Sequence, residues 1–108
     1  MDGAILIPRR SFKVRKDNDE NGSTKAELID QLLVAIEDSR AVFITYQSER
    51  ATEAVSYDVH PYGLIEHRGS LYLVGFSPSH DNVRIWKLDR MQDVDVTRVP
   101  FQRPVAAD

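Results

Sequence analysis

The sequence predicts a mainly β fold with one N-terminal helix, arranged as a small, strongly bent antiparallel β-barrel. Three observations lead there. Apolar residues recur at helical offsets in one stretch, "KAELIDQLLVAIEDSR", where Leu28, Ile29, Leu32, Leu33 and Ile36 fall on a common face. From Val42 onward the period changes to two, and short apolar runs alternate with turn-forming stretches. Pro61 and Gly63 then sit inside one of those runs without ending it, which bends or bulges a strand, because proline lacks the ladder donor and glycine weakens the pairing.

The elements follow in order. Residues 8–24, "PRRSFKVRKDNDENGST", are too polar to bury the apolar area that ordering requires, so residues 1–24 are expected to be a flexible arm or linker. Thr24 with Glu27 has the spacing of a capping box and opens a helix over about 25–39. Val42, Ile44 and Tyr46 alternate with Phe43 and Thr45 in a strand of about 41–47, and "SERATE" is a polar turn. The run "AVSYDVHPYGLIEHRG" is the bent strand. "HRGS" reverses it into "LYLVGF" (71–76), "SPSHDN" reverses that into "VRIWKL" (83–88), and "DVDVT" (93–97) is a last short strand. The domain is expected to span 25–104, with a tail at 105–108.

Composition excludes several function classes. A chain of 108 residues has room for one core. With no cysteine there are no disulfides, thiolate nucleophiles or cysteine zinc sites, and three histidines make a poor metal set. No run reaches the roughly 18 to 20 apolar residues of a membrane span or forms a signal-peptide core, so a soluble cytoplasmic protein is expected, with no membrane partner. The formal net charge of −3 rules out an overall basic coat, and the acidic excess lies in residues 25–59, with 7 acidic against 3 basic side chains. Contact with nucleic acid, if made, is local.

Catalysis finds no support. There is no nucleophile elbow, phosphate loop, zinc-protease helix or dinucleotide glycine pattern, so neither enzymatic activity nor a cofactor is expected. Ser77, Ser79 and His80 lie together in "SPSHD", where residues of this type are turn formers. The stretch "VRIWKLDR" is more informative. Arg84 and Trp86 project to one strand face and Lys87 to the other, with Arg90 beyond the strand end. On one reading Trp86 is core, Arg84 lies along its edge and Arg90 pairs with Asp89 or Glu66. On the other, the guanidinium groups converge on a partner anion.

The ordered set "HPYGLIEHRGSLYLVGF", "RIWKLDRM" and "VPFQRP", preceded by a helix ending in "AIEDSRAVFITY", resembles the WYL domain of bacterial transcriptional regulators. The resemblance runs from about Leu28 to Pro104. The signature Trp-Tyr-Leu stands here as Leu71-Tyr72-Leu73, and Lys87 occupies a position where many members have Arg. The resemblance implies an Sm-like, SH3-type β-barrel that senses a ligand and adjusts DNA binding by an attached helix-turn-helix domain. Relatives of this kind bind single-stranded DNA or RNA or a nucleotide-like effector. Carried over position by position, the ligand site comprises His60, Tyr62, Tyr72, Arg84, Lys87 and Arg90. Residues 1–24 are too short and polar for a helix-turn-helix, so the chain is expected to be either a lone WYL module or, as its linker-like first 24 residues favour, a part of a larger regulator. The competing expectation is a protein-interaction barrel that docks to a partner or forms a homodimer through strand edges and the helix.

Overall fold

The computed structural model describes residues 5–6 and 24–104. The arm expected at 1–24 lies outside the described residues except for Ile5, Leu6 and Thr24, and the tail at 105–108 lies wholly outside them. Strand β1 (Ile5–Leu6) precedes helix α1 (Lys25–Asp38). Five strands follow: β2 (Arg40–Tyr46), β3 (Val55–His67), β4 (Ser70–Ser77), β5 (Asn82–Lys87) and β6 (Met91–Pro100). A three-residue 3-10 turn, Leu88–Arg90, joins β5 to β6. No helix among the described residues is long and apolar enough to cross a membrane.

Helix α1 begins where the capping box places it. The Thr24 hydroxyl accepts from the Glu27 N–H at 3.2 Å, and the Glu27 carboxylate accepts from the Thr24 N–H at 2.9 Å. The helix ends at Ser39 in the left-handed region, φ 53°. Leu28, Ile29, Leu32, Leu33 and Ala35 are buried against Val42 and Ile44 of β2, Val59 and Leu64 of β3, Leu73 of β4, and Met91 and Val94 of β6, in a core that also takes in Trp86 and Leu88. Fourteen helical residues thus cover one face of the sheet; on the other face, among the described residues, Phe101 stacks against His60.

All strand neighbours are antiparallel, in the order β5-β4-β3-β2-β6, with β1 set against Glu66 and Ile65 of β3. Strand β3 carries the bend. Its first half pairs with β2, Val42 opposite Val59 and Ile44 opposite Tyr57, and its second half pairs with β4. The register slips between Pro61 and Gly63, where proline can offer no ladder donor. Arg68 and Gly69, both at positive φ, form the tight turn between His67 and Ser70. Gly75 of β4 is required by close approach: a Cβ there would lie 2.5 Å from the His60 carbonyl oxygen.

The expected barrel does not close, in either its generic or its Sm-like, SH3-type form. Among the described residues, strand β5 pairs only with β4, and β6 only with β2. The two sheet edges meet at one corner instead of along a ladder. There the 3-10 turn links them, the Lys87 N–H donates to the Tyr46 hydroxyl at 3.2 Å, and the Gln47 N–H donates to the Arg90 carbonyl at 3.1 Å. A second irregularity, between Arg40 and Val42, leaves the Ala41 carbonyl to be satisfied by the Thr97 hydroxyl at 2.6 Å.

Candidate functional site

The corner where β5 runs into β6 builds a pocket of about 260 Å3. Its walls come from separate parts of the chain: Tyr46 at the end of β2, Ser48 and Glu49 in the following loop, Tyr57 on β3, His80 in the β4–β5 turn, Arg84 to Trp86 on β5, and Arg90. Arg84 stands opposite Gly75 and on the same strand face as Trp86, which is only 4% exposed. Trp86 belongs to the core, as the first reading of "VRIWKLDR" holds. Arg84 lies where that face leaves the core. It is exposed and makes no ion pair among the described residues.

Arg90 is differently placed. The expected partners were Asp89 and Glu66, but its guanidinium lies 3.7 Å from the Glu49 carboxylate. Asp89 is taken by Lys25 at the start of α1. The hydrogen bond from Lys25 holds the Asp89 carboxyl below its ordinary pKa of 3.8, and the charges of Lys25, Lys87 and Arg90 act in the same direction.

His80 enters the pocket from "SPSHD". Its Nδ1 lies 2.7 Å from the Ser77 hydroxyl, and its ring is 5.6 Å from that of Tyr57. Ser77 is fully buried at the end of β4, so this contact orients the imidazole at the pocket wall, and the exposed Ser79 hydroxyl lies 3.5 Å from the same nitrogen.

The six residues singled out from the sequence do not form one patch. Arg84 and Arg90 share the pocket. Tyr72 and Lys87 face each other across β4 and β5 on the opposite side of the sheet, because they alternate with Leu73 and Trp86. His60 and Tyr62 belong to an aromatic cluster with Phe76 and Phe101. The His60 ring is stacked on Phe101 at 5.0 Å and 12°, and Tyr62 lies 6.0 Å from the same ring. Sequence reasoning passed over Tyr46, Glu49 and Tyr57, and treated His80 only as a turn former. The one local signal was in the strands: Tyr46 and Tyr57 each continue a core-facing row, Ile44 and Val59, with a side chain that ends in a hydroxyl.

The WYL domain family model matches residues 27–96, about two-thirds of the chain. This chain belongs to the WYL domain family. The WYL domain is 33% identical over 60 residues to the protein named PafB of Mycobacterium tuberculosis and of Mycobacterium bovis, a stretch that covers 56% of this chain and 18% of the relative. It thus spans under a fifth of the length of the curated relatives it matches. Among solved structures it is similar to proteasome accessory factor B/C (PafBC) of Arthrobacter aurescens, with a TM-score of 0.67 and 23% identity over 75% of this chain and 13% of that one. At that identity the likeness shows a common fold. WYL domains occur in bacterial transcriptional regulators and PafBC-like proteins.

Proposed function

We propose that this WYL domain is the ligand-sensing module of a bacterial transcriptional regulator, and that it binds a single-stranded nucleic acid or a nucleotide-like effector in the corner pocket. The observation that carries this reading is Arg84. An exposed guanidinium with no carboxylate partner among the described residues stands in a pocket that also contains Tyr46, Tyr57 and His80. Guanidinium binds phosphate through paired N–H donors, and the aromatic rings offer the base a surface on which to stack. The volume suits about one nucleotide unit, at the small end of ligand pockets. The reading is of a binding module and not an enzyme. The helix-turn-helix domain that would respond to the ligand belongs, on this reading, to another part of the regulator.

Fluorescence polarisation with short single-stranded DNA, single-stranded RNA and cyclic dinucleotides tests the proposal. Saturable binding is expected with at least one of them. Arg84→Ala should weaken it about tenfold, in line with loss of a charge-assisted hydrogen bond. For the single strands it should also flatten the salt dependence by about 0.7 log units per log unit of salt. Arg98→Ala, exposed on β6 and outside the pocket, should change little. Equal weakening by both would point to diffuse charge attraction.

A second reading draws on the opposite sheet face. Val83 and Ile85 are about half exposed there, beside half-buried Val74 and Phe76, which fits docking to a partner domain or a second copy. Absence of binding to any of the probes would favour it.

A further inference from the structure

The pocket's second arginine is not equivalent to its first, and the difference lies in Glu49. The Glu49 carboxylate lines the same pocket as Arg84 and Arg90, 3.7 Å from the Arg90 guanidinium. It is not a side chain on a loose loop. The Gln47 N–H is bonded to the Arg90 carbonyl at 3.1 Å, Gln47 Nε2 donates to the Ala51 carbonyl at 3.1 Å, and Gln92 Nε2 donates to Gln47 Oε1 at 3.1 Å. These bonds fix both flanks of the turn that carries Glu49 and keep the carboxylate within reach of Arg90.

We infer that Glu49 is a specificity-determining residue: it neutralises Arg90, so the pocket offers one available guanidinium, that of Arg84, and is matched to a ligand presenting a single phosphate there. The inference rests on the pocket reading above and adds the phosphate count to it. An entering anion has two courses. It can remain with Arg84 alone, or it can displace Glu49 from Arg90. The pair is long, and although Arg90 is part-buried, 79% of the Glu49 side chain is open to solvent, so displacement is physically accessible. Either way the second contact adds little affinity, because displacement exchanges the Glu49–Arg90 pair for a phosphate–Arg90 pair and leaves an unpaired carboxylate beside the anion. A ligand carrying two phosphates into the pocket gains from the second only if Glu49 is removed.

The test is a salt series of oligo(dT) binding to the whole chain, comparing wild type, Arg84→Ala, Glu49→Gln, Glu53→Gln and the double variant Glu49→Gln/Arg90→Ala. The amide keeps the shape of Glu49 and removes its charge. Glu53 is an exposed carboxylate on the same loop that does not line the pocket. Glu49→Gln is expected to tighten binding several-fold and to steepen the salt dependence by about 0.7 log units per log unit of salt, the increment for one more neutralised phosphate. Both gains should vanish in the double variant, and Glu53→Gln should reproduce neither. Persistence of the gain in the double variant, or an equal gain from Glu53→Gln, overturns the inference. So does a Glu49→Gln protein indistinguishable from wild type when Arg84→Ala still weakens binding, in which case the pocket reading stands. No binding by either wild type or Glu49→Gln, or binding that Arg84→Ala leaves unchanged, overturns the pocket reading and this inference with it.

Discussion

Leu71 replaces the tryptophan of the family signature, and its position shows what the replacement preserves. It lies on the core-facing row of β4, two residues before Leu73, and is half-buried against the edge of the core. Leu73 is fully buried, with Leu64 and Trp86 as its cross-strand partners. Tyr72, between them, points to the opposite face. Truncation should separate the two leucines. Leu73→Ala is expected to cost about 2 to 5 kcal/mol, whereas Leu71→Ala, already in contact with solvent, should cost about 1 to 2 kcal/mol. Urea unfolding of both variants would measure this, and equal losses would mean that the margin of the core is as enclosed as its centre. The parity of these residues is legible in "LYLVGF" alone. The core role of Trp86 is too, since its row alternates with Lys87. That Arg84 escapes the core while sharing that row is not legible, because it depends on where the sheet ends.

At the scale of elements, the contact between Lys25 and Asp89 ties the first turn of α1 to the turn joining β5 and β6. The folded Asp89 carboxyl titrates below its ordinary value of 3.8, chiefly because Lys25 hydrogen-bonds to it. A depressed carboxyl contributes stability that is fully present above the unfolded pKa and lost as pH falls through the folded one. Both partners are about half exposed, so the contribution is small, under about 1 kcal/mol. Asp89→Asn should therefore lower the thermal midpoint slightly at neutral pH, and the two melting curves should converge as pH falls below 3.8. A difference that persisted in acid would show that the asparagine acts through packing. The helix and strands β2 to β5 are readable from period and caps to within about two residues. Strand β6 is not: the pattern marks 93–97, but pairing with β2 extends the strand to Met91–Pro100, since backbone hydrogen bonds need no apolar alternation. The open corner was invisible for a related reason. Tyr46 and Lys87 are 41 residues apart, and no local pattern encodes their bond.

At the scale of the whole molecule, the pocket is a product of the bend in β3 and of the meeting of two sheet edges, which is why the sequence located Arg84 and Arg90 but not Glu49, Tyr57 or His80 as their neighbours. The same corner has a consequence for how copies of the chain behave in concentrated solution. Strand β5 borders the sheet, and alternation directs the N–H groups of Val83, Ile85 and Lys87 away from β4. Two of the three are already occupied, Val83 by Asn82 Oδ1 at 2.9 Å and Lys87 by the Tyr46 hydroxyl. Among the described residues, a strand arriving from another molecule would find one donor without a partner instead of a row of three, beside half-exposed Val83 and Ile85 that would otherwise reward its arrival. Tyr46→Phe combined with Asn82→Ala removes both stoppers and leaves the strand's length unchanged. Sedimentation velocity should then show concentration-dependent self-association that neither single variant displays, and a double variant that stays monomeric throughout would mean that the short length of β5 is protection enough. Self-association of the double variant would give a tyrosine hydroxyl in the pocket wall a second role, guarding the sheet against polymerisation.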